Sequence, residues 1–171
     1  MYGTFLTLAL AATAAAGAPA IDRHAATRQT EAHQALIARH AQARQAAGAL
    51  YQFTASRVIA DRELAQRMTV HISSGLDAGQ LEIGRIAELL TPTQREAANQ
   101  RLQELRDRQA SAVSHTNELK NELARPRLDG GQIRFLASEI YRSVSLADDA
   151  HQALMRQLNM KLASHGTARL R

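Results

Sequence analysis

The sequence contains no cysteine and no tryptophan, and it is poor in proline, glycine and aromatic residues. The absence of cysteine excludes disulfides, thiolate metal sites, iron–sulfur clusters and cysteine nucleophiles. Three prolines and nine glycines in 171 residues are too few to punctuate the many short strands of a β-sandwich or barrel. Alanine, by contrast, occurs 34 times and is the strongest helix former. These features predict an all-α protein whose core is long but thin, because alanine buries little apolar area.

The charge of the chain is only moderately biased. It has 21 basic and 16 acidic residues, and all the basic residues except Lys120 and Lys161 are arginines. The net charge of +5 is spread along the chain, without the basic block or aromatic-rich basic stripe that is typical of nucleic-acid binding. We therefore expect no nucleic-acid partner, and a cationic surface that suits acidic or unfolded polypeptides, or anionic lipid.

The first twenty residues differ from the rest of the chain. No charged side chain occurs in 1–20, and an apolar run of signal-peptide length ends at the small-x-small pattern Ala18-Pro19-Ala20. We predict a cleaved signal peptide, with an uncleaved membrane anchor or an ordinary alanine-rich helix as alternatives. The first two imply export. Residues 21–171 are predicted to form one helical domain.

Apolar spacing predicts four helices in that domain. They cover about 27–51, 57–90, 92–124 and 132–162. The segment Ser73-Ser74-Gly75 is expected to kink or break the second helix, because serine and glycine weaken helix interiors.

A short turn joins the third and fourth predicted helices. Residues 125–131 contain Pro126 and a pair of glycines, which are strong turn signals. Two long helices of similar length that are joined by a short turn should form an antiparallel hairpin. The predicted architecture is therefore a long hairpin of about 92–124 and 132–162, packed with one or two further N-terminal helices.

Some polar residues fall on the apolar stripes of these helices. Gln109 and Thr116 interrupt the stripe of the third helix, and His33 and His40 lie seven residues apart on one face with Leu36. We interpret the two histidines as solvated or interhelical polar residues.

The third helix begins with the motif Leu90-Thr91-Pro92-Thr93-Gln94. Thr91 is placed to accept a hydrogen bond from a free backbone N–H, and Pro92 takes the first helical position, where its missing N–H costs nothing. Gln94 can reach back to the N-cap residue and complete a capping box. The motif L-T-P-x-Q thus predicts where this helix starts.

This motif and the segment after it resemble the LTxxQ family of periplasmic proteins. The family includes the Spy and CpxP chaperone-adaptors, the zinc-responsive ZraP and the CnrX-like heavy-metal sensors. As in that family, a long helix, a turn and a return helix follow L-T-P-x-Q, with Leu128-Asp129 where Phe-Asp is usual. The second L-T-P-x-Q that is often present is not matched at 162–166. The resemblance covers 90–162, and residues 21–80 lie outside it.

The resemblance implies an all-α periplasmic protein that is not an enzyme. It implies an ATP-independent binding protein that captures non-native protein, or a signalling partner such as a membrane sensor or anti-sigma protein, during envelope or metal stress. We expect a homodimer with a cupped surface, and a membrane contact only if 1–20 is an uncleaved inner-membrane anchor. The candidates for a cationic client-binding or partner-binding face are Arg95, Arg101, Arg106, Arg108, Arg134 and Arg142.

A periplasmic heavy-metal sensor or metal-binding protein is the main alternative. His151 and Met155 lie four residues apart and so share a helix face, and an imidazole with a thioether suits Ni, Co or Cu(I). His71 could reach them if the second helix packs against the hairpin. The binding function requires no cofactor, whereas this alternative would use Zn, Ni, Co or Cu. Both side chains also suit ordinary core positions.

A structural helical protein of the envelope is a further alternative, which rests on the unmatched residues 21–80. Catalysis is not expected, because the carboxylates do not cluster and no nucleophile triad, glycine-rich phosphate loop or di-iron motif is present.

Overall fold

The computed structural model describes residues 20–54 and 61–160. Four helices account for nearly all of this part: α1 (Ala20–Phe53), α2 (Arg62–Leu89), α3 (Pro92–Ala124) and α4 (Gly130–Gln157). No strand occurs within the described ranges, so the all-α prediction is confirmed.

Each helix packs against two others. Helix α1 lies against α2 and α4, and α3 lies against the same two helices, whereas the backbones of the diagonal pairs stay apart within residues 20–54 and 61–160. Chain direction reverses at each connection, which gives an up-and-down four-helix bundle. The predicted hairpin is formed by α3 and α4, and both N-terminal helices pack across it.

Side chains fix the start of three helices. Asp61 accepts a hydrogen bond from the backbone N–H of Leu64 at 2.8 Å and caps α2. The hydroxyl of Thr91 accepts from the N–H of Gln94 at 3.2 Å, and the Gln94 side chain accepts from the N–H of Thr91 at 3.0 Å. Asp129 accepts from two N–H groups in the first turn of α4. The predicted capping box of α3 is thus present.

Three helix boundaries differ from the sequence prediction. Helix α1 begins at Ala20 rather than near residue 27, because no helix-breaking residue interrupts the polar and alanine-rich segment between them. Helix α2 begins at Arg62 rather than near residue 57, because Asp61 is its N-cap. Helix α4 ends at Gln157, before the predicted end near residue 162.

Apart from Ala20, the predicted signal peptide lies outside the described residues. Among the helices that the structure describes, none has an apolar stretch long enough to cross a membrane.

Of the predicted kink or break at residues 73–75, the break is wrong, since α2 runs through this segment without interruption. Gly75 lies where α1 and α2 pack closely against each other. A Cβ atom at this position would lie 3.0 Å from the carbonyl oxygen of Arg39 and 3.2 Å from the Cβ of Ala43. The glycine therefore serves helix packing, and this packing outweighs its weak helix propensity.

Aliphatic side chains form two core clusters, one toward the α3–α4 turn and one toward the α2–α3 connection. The lower cluster, toward the turn, includes Leu50, Ile72, Leu119, Leu136 and Ile140. The upper cluster includes Leu36, Ile83, Leu102, Leu105 and Leu154. Neither cluster contains a fully buried aromatic side chain, although Phe53 packs at the margin of the lower one.

Candidate functional site

Five polar side chains from three helices meet inside the bundle, and we call them the polar core. They are His33 and His40 of α1, Gln109 of α3, and Asp148 and His151 of α4. The three histidines and Gln109 are at most 1% exposed. His40 and Gln109 lie where the two aliphatic clusters meet, so the polar core interrupts an otherwise apolar interior.

His40 is at the centre of a hydrogen-bonded network. Its Nδ1 lies 2.7 Å from Oδ1 of Asp148, and its Nε2 lies 3.0 Å from Oε1 of Gln109. The amide nitrogen of Gln109 donates to the backbone carbonyl of Leu76 at 2.6 Å, and the other carboxylate oxygen of Asp148 accepts from Arg44. One network therefore joins all four helices.

Both ring nitrogens of His40 face hydrogen-bond acceptors. Because the Gln109 amide donates through its nitrogen to Leu76, its oxygen faces Nε2 of His40. The carboxylate of Asp148 faces Nδ1 on the other side of the ring. A proton on either nitrogen of His40 therefore has an acceptor within hydrogen-bond distance, which compensates the burial of the ring.

Gly79 of α2 makes room for this network. A Cβ atom there would lie 3.1 Å from the amide nitrogen of Gln109 and 3.6 Å from Cδ2 of His40. The close approach of the α2 backbone is what lets Gln109 reach the carbonyl of Leu76.

His33 and His151 form a second, separate pair between α1 and α4. The Nδ1 of His33 lies 2.7 Å from Nε2 of His151, the ring planes differ by 6°, and the ring centres are 5.0 Å apart. A distance of 2.7 Å is too short for stacked faces, and 5.0 Å corresponds to this hydrogen bond plus the two ring radii. The rings therefore meet edge to edge in nearly one plane, and one nitrogen donates to the other.

Burial keeps both of these rings neutral. Loss of solvation lowers the pKa of His33 to about 4. Burial also lowers the pKa of His151 to about 3, with further contributions from the nearby charges of His33 and His40. The second nitrogen of His33, Nε2, is buried without a hydrogen-bond partner in the described residues. Each neutral ring keeps one N–H group, and one of these two N–H groups forms the hydrogen bond between the rings.

The structure brings only two of the predicted metal ligands together. His151 and Met155 lie one turn apart on α4, whereas His71 is exposed on α2, whose backbone does not approach α4. Nε2 of His151 is occupied by the hydrogen bond to His33. Within residues 20–54 and 61–160, no group of three or more acidic or histidine side chains has the geometry to hold a metal ion.

The six predicted arginines do not share one surface. Arg95 donates to the carbonyl groups of Ala87 and Leu90 and so braces the α2–α3 connection. The other side chains of the set lie elsewhere: Arg101 pairs with Glu104, Arg142 lies near Glu139, Arg134 contacts Tyr51, Arg106 is half-buried, and Arg108 is exposed. Arg134 and Arg142 remain together on α4.

Four residues of the polar core were not predicted as a site: His33, His40, Gln109 and Asp148. A signal for three of them exists in the sequence, since His33 and His40 share the face of Leu36 and Gln109 interrupts an apolar stripe. A polar residue on an apolar stripe is buried with the rest of that stripe, and burial then demands a partner.

Comparisons with protein-family models, curated proteins and solved structures give no match to this chain.

Proposed function

We propose that the protein is a non-enzymatic, ATP-independent binding protein of the periplasm, of the Spy and CpxP kind, which holds non-native protein or a signalling partner. The α3–α4 hairpin is the observation that supports this proposal. It starts at the Thr91–Gln94 capping box, runs for 33 residues and returns after a short turn that ends at Asp129. This is the arrangement that the resemblance implies for 90–162.

The bundle restricts how such a protein could bind. Helices α1 and α2 cover the apolar stripes of α3 and α4, and the buried side chains include Leu105, Leu119 and Ile140. The hairpin thus has no open apolar cup while the bundle is closed. Binding by the closed bundle would use its outer surface.

Suppression of aggregation tests the function. Citrate synthase would be diluted from guanidinium into buffer with the full chain, without ATP, and its aggregation followed by light scattering. We expect the full chain to delay aggregation in proportion to its concentration, whereas an equal mass of serum albumin should not. Unchanged aggregation at a severalfold excess, together with no complex on gel filtration, would refute the proposal.

The metal alternative stays a prediction of the sequence, and thermal unfolding with Zn²⁺, Ni²⁺, Co²⁺ or Cu²⁺ tests it. A bound metal at 100 times its dissociation constant would add roughly 2.7 kcal/mol to the free energy of unfolding. A rise in Tm that His151→Ala removes and His71→Ala leaves unchanged would favour a metal site next to the histidine pair. No rise with any of these metals would leave the binding protein as the proposal.

A further inference from the structure

Most of the aromatic side chains in the described residues are at the surface. Four aromatic residues occur in the described ranges, and three of them are well exposed: Tyr51 at 38%, Phe135 at 55% and Tyr141 at 46%. Large aromatic side chains normally supply core packing, and here the core is aliphatic. Exposed aromatic groups that lie together are typical of an interaction surface.

These aromatic groups share one face of the bundle. Residues 134, 135, 138, 141 and 142 recur at intervals of three, four and seven, so they cover the outer side of α4. Arg134 donates to the hydroxyl of Tyr51 at 3.0 Å and lies 4.5 Å from the centre of its ring, which ties α1 to this face. The Tyr141 ring lies over Gly48 of α1. We call Tyr51, Arg134, Phe135, Tyr141 and Arg142 the aromatic–arginine face.

The aromatic–arginine face and its surroundings carry a small excess of basic residues. Residues 41–54 and 125–142 together contain five arginines and two acidic residues. Two of these arginines, Arg44 and Arg125, are paired with carboxylates outside these ranges. Arg142 lies 3.8 Å from Glu139, so Arg134 is the arginine of the face that brings the excess positive charge.

The aromatic–arginine face contains two arginines, and Arg142 is the one that lies near a carboxylate in the described residues. Arg134 has a different environment. Its contacts are the hydroxyl and the ring of Tyr51 rather than a carboxylate. A guanidinium on an aromatic ring is pre-positioned, with its remaining N–H groups free for a planar acceptor. A carboxylate of a partner would complete this arrangement.

We propose that the aromatic–arginine face binds an acidic segment of a partner protein, with carboxylates at Arg134 and Arg142 and apolar side chains against Phe135 and Tyr141. This inference rests on the proposed function, since it names the partner chemistry. Tyrosine and arginine are the residues that most often dominate protein interfaces. The charge is interspersed with apolar surface, unlike the basic block that binds nucleic acid. A second copy of the chain would set arginines against arginines.

A binding titration with a defined probe tests the proposal. The probe is a short fluorescein-labelled peptide of repeating Glu-Leu-Gly units, and its fluorescence anisotropy is followed as the full chain is added. We expect saturable binding that weakens as salt is raised, because the attraction is electrostatic. The same peptide with lysine in place of glutamate should not bind.

Paired variants locate the site. Phe135→Ala with Tyr141→Ala, and separately Arg134→Gln, should each weaken peptide binding about tenfold or more. The matched control is Val70→Ala with Leu81→Ala, which truncates two exposed apolar side chains on α2. The control should bind as the wild type does, and all variants should keep the circular dichroism spectrum and Tm of the wild type.

Three results would overturn the proposal. The first is no saturable binding of the glutamate peptide. The second is an equal loss in the α2 control. The third is binding to phosphatidylglycerol vesicles or to poly(U) that is tighter than binding to the peptide and is lost in the same variants. Such binding would assign the face to a membrane or to RNA. Failure here is distinct from failure of the proposed function: if the Phe135→Ala, Tyr141→Ala variant still delays aggregation of citrate synthase, only the assignment of this face is wrong.

Discussion

The buried histidines have two different kinds of hydrogen-bond partner in the same core. Both nitrogens of His40 face acceptors, which are Asp148 and Gln109. His33 and His151 face each other, and the single hydrogen bond between them uses one proton. The distinction comes from the partners, because all three rings are buried to the same degree.

Replacing Gln109 by leucine should destabilise the bundle. The substitution keeps the volume of the side chain but leaves Nε2 of His40 buried without its hydrogen-bond partner. An unsatisfied buried donor or acceptor costs about 1–3 kcal/mol, and more where the group is charged. Urea unfolding at pH 7 measures this loss. Gln103→Leu is the matched control, since Gln103 is exposed on the same helix, and it should change stability by less than about 0.5 kcal/mol. Equal effects of the two substitutions would contradict the network.

The sequence carries part of this residue-scale information. The positions of His33 and His40 on the Leu36 face indicate that both are buried, and the same holds for Gln109 on its stripe. What the sequence does not contain is the pairing of α1 with α4. Without that pairing, Asp148 cannot be recognised as the partner of His40, and His151 cannot be placed next to His33.

At the scale of the helix, two glycines of α2 allow the effect of helix propensity on stability to be distinguished from the effect of helix packing. Gly75 lies against the backbone of α1, whereas a Cβ at Gly84 would have no neighbour within 4 Å. Neither adopts a left-handed φ, so alanine fits both backbone conformations.

We expect alanine to have opposite effects at these two glycines. Gly84→Ala should raise the free energy of unfolding by about 0.5–1 kcal/mol, which is the helix-propensity gain. Gly75→Ala should lower the free energy of unfolding, because its Cβ would lie 3.0 Å from a backbone oxygen that cannot move alone. Guanidinium unfolding of the two single variants measures both changes. A stabilising Gly75→Ala would show that α1 and α2 are not in close contact.

The capping box is a second prediction at this scale. Thr91→Val keeps the shape of the side chain but removes the acceptor for the Gln94 N–H, and we expect a loss of about 0.5–2 kcal/mol. Thr93→Val, two residues further along and exposed, is the control. A loss confined to Thr91 in chemical unfolding would verify the cap, whereas equal small effects would show that solvent replaces it.

At the scale of the molecule, short connections and four amphipathic stretches were enough to predict the helix content and the α3–α4 hairpin. They were not enough to predict which helices lie side by side. That arrangement depends on small residues such as Gly75 and Gly79, which allow α2 to approach α1 and the polar core. The same arrangement places α2 diagonal to α4, which is why His71 does not reach His151.

The histidine pair makes the stability of the whole bundle depend on pH. In the unfolded chain both rings would titrate near 6.5, but burial lowers the pKa of His33 to about 4 and that of His151 to about 3 in the folded state. Between about 6.5 and 4 the unfolded chain therefore binds more protons, and the free energy of unfolding falls as pH falls. The stabilisation that comes from the two neutral histidines is complete above pH 6.5. Below that pH, each histidine changes the free energy of unfolding by at most about 1.4 kcal/mol per pH unit.

Replacing both rings by leucine should flatten this dependence. The double variant His33→Leu, His151→Leu has no proton to gain, and an apolar pair of similar size replaces a buried polar pair with little loss at pH 7. Urea unfolding of the wild type and the variant at several values from pH 7.5 to 4.5 measures the difference in slope, and carboxylates contribute equally to both. His71→Leu, the same change at an exposed histidine, should keep the wild-type slope.

Protonation of the second ring of the pair has the larger effect on stability. Two charged rings would place N–H against N–H at 2.7 Å and abolish the hydrogen bond between α1 and α4. A double variant that loses stability with acid as steeply as the wild type would show that the pair is already protonated, or already solvated, in the folded bundle.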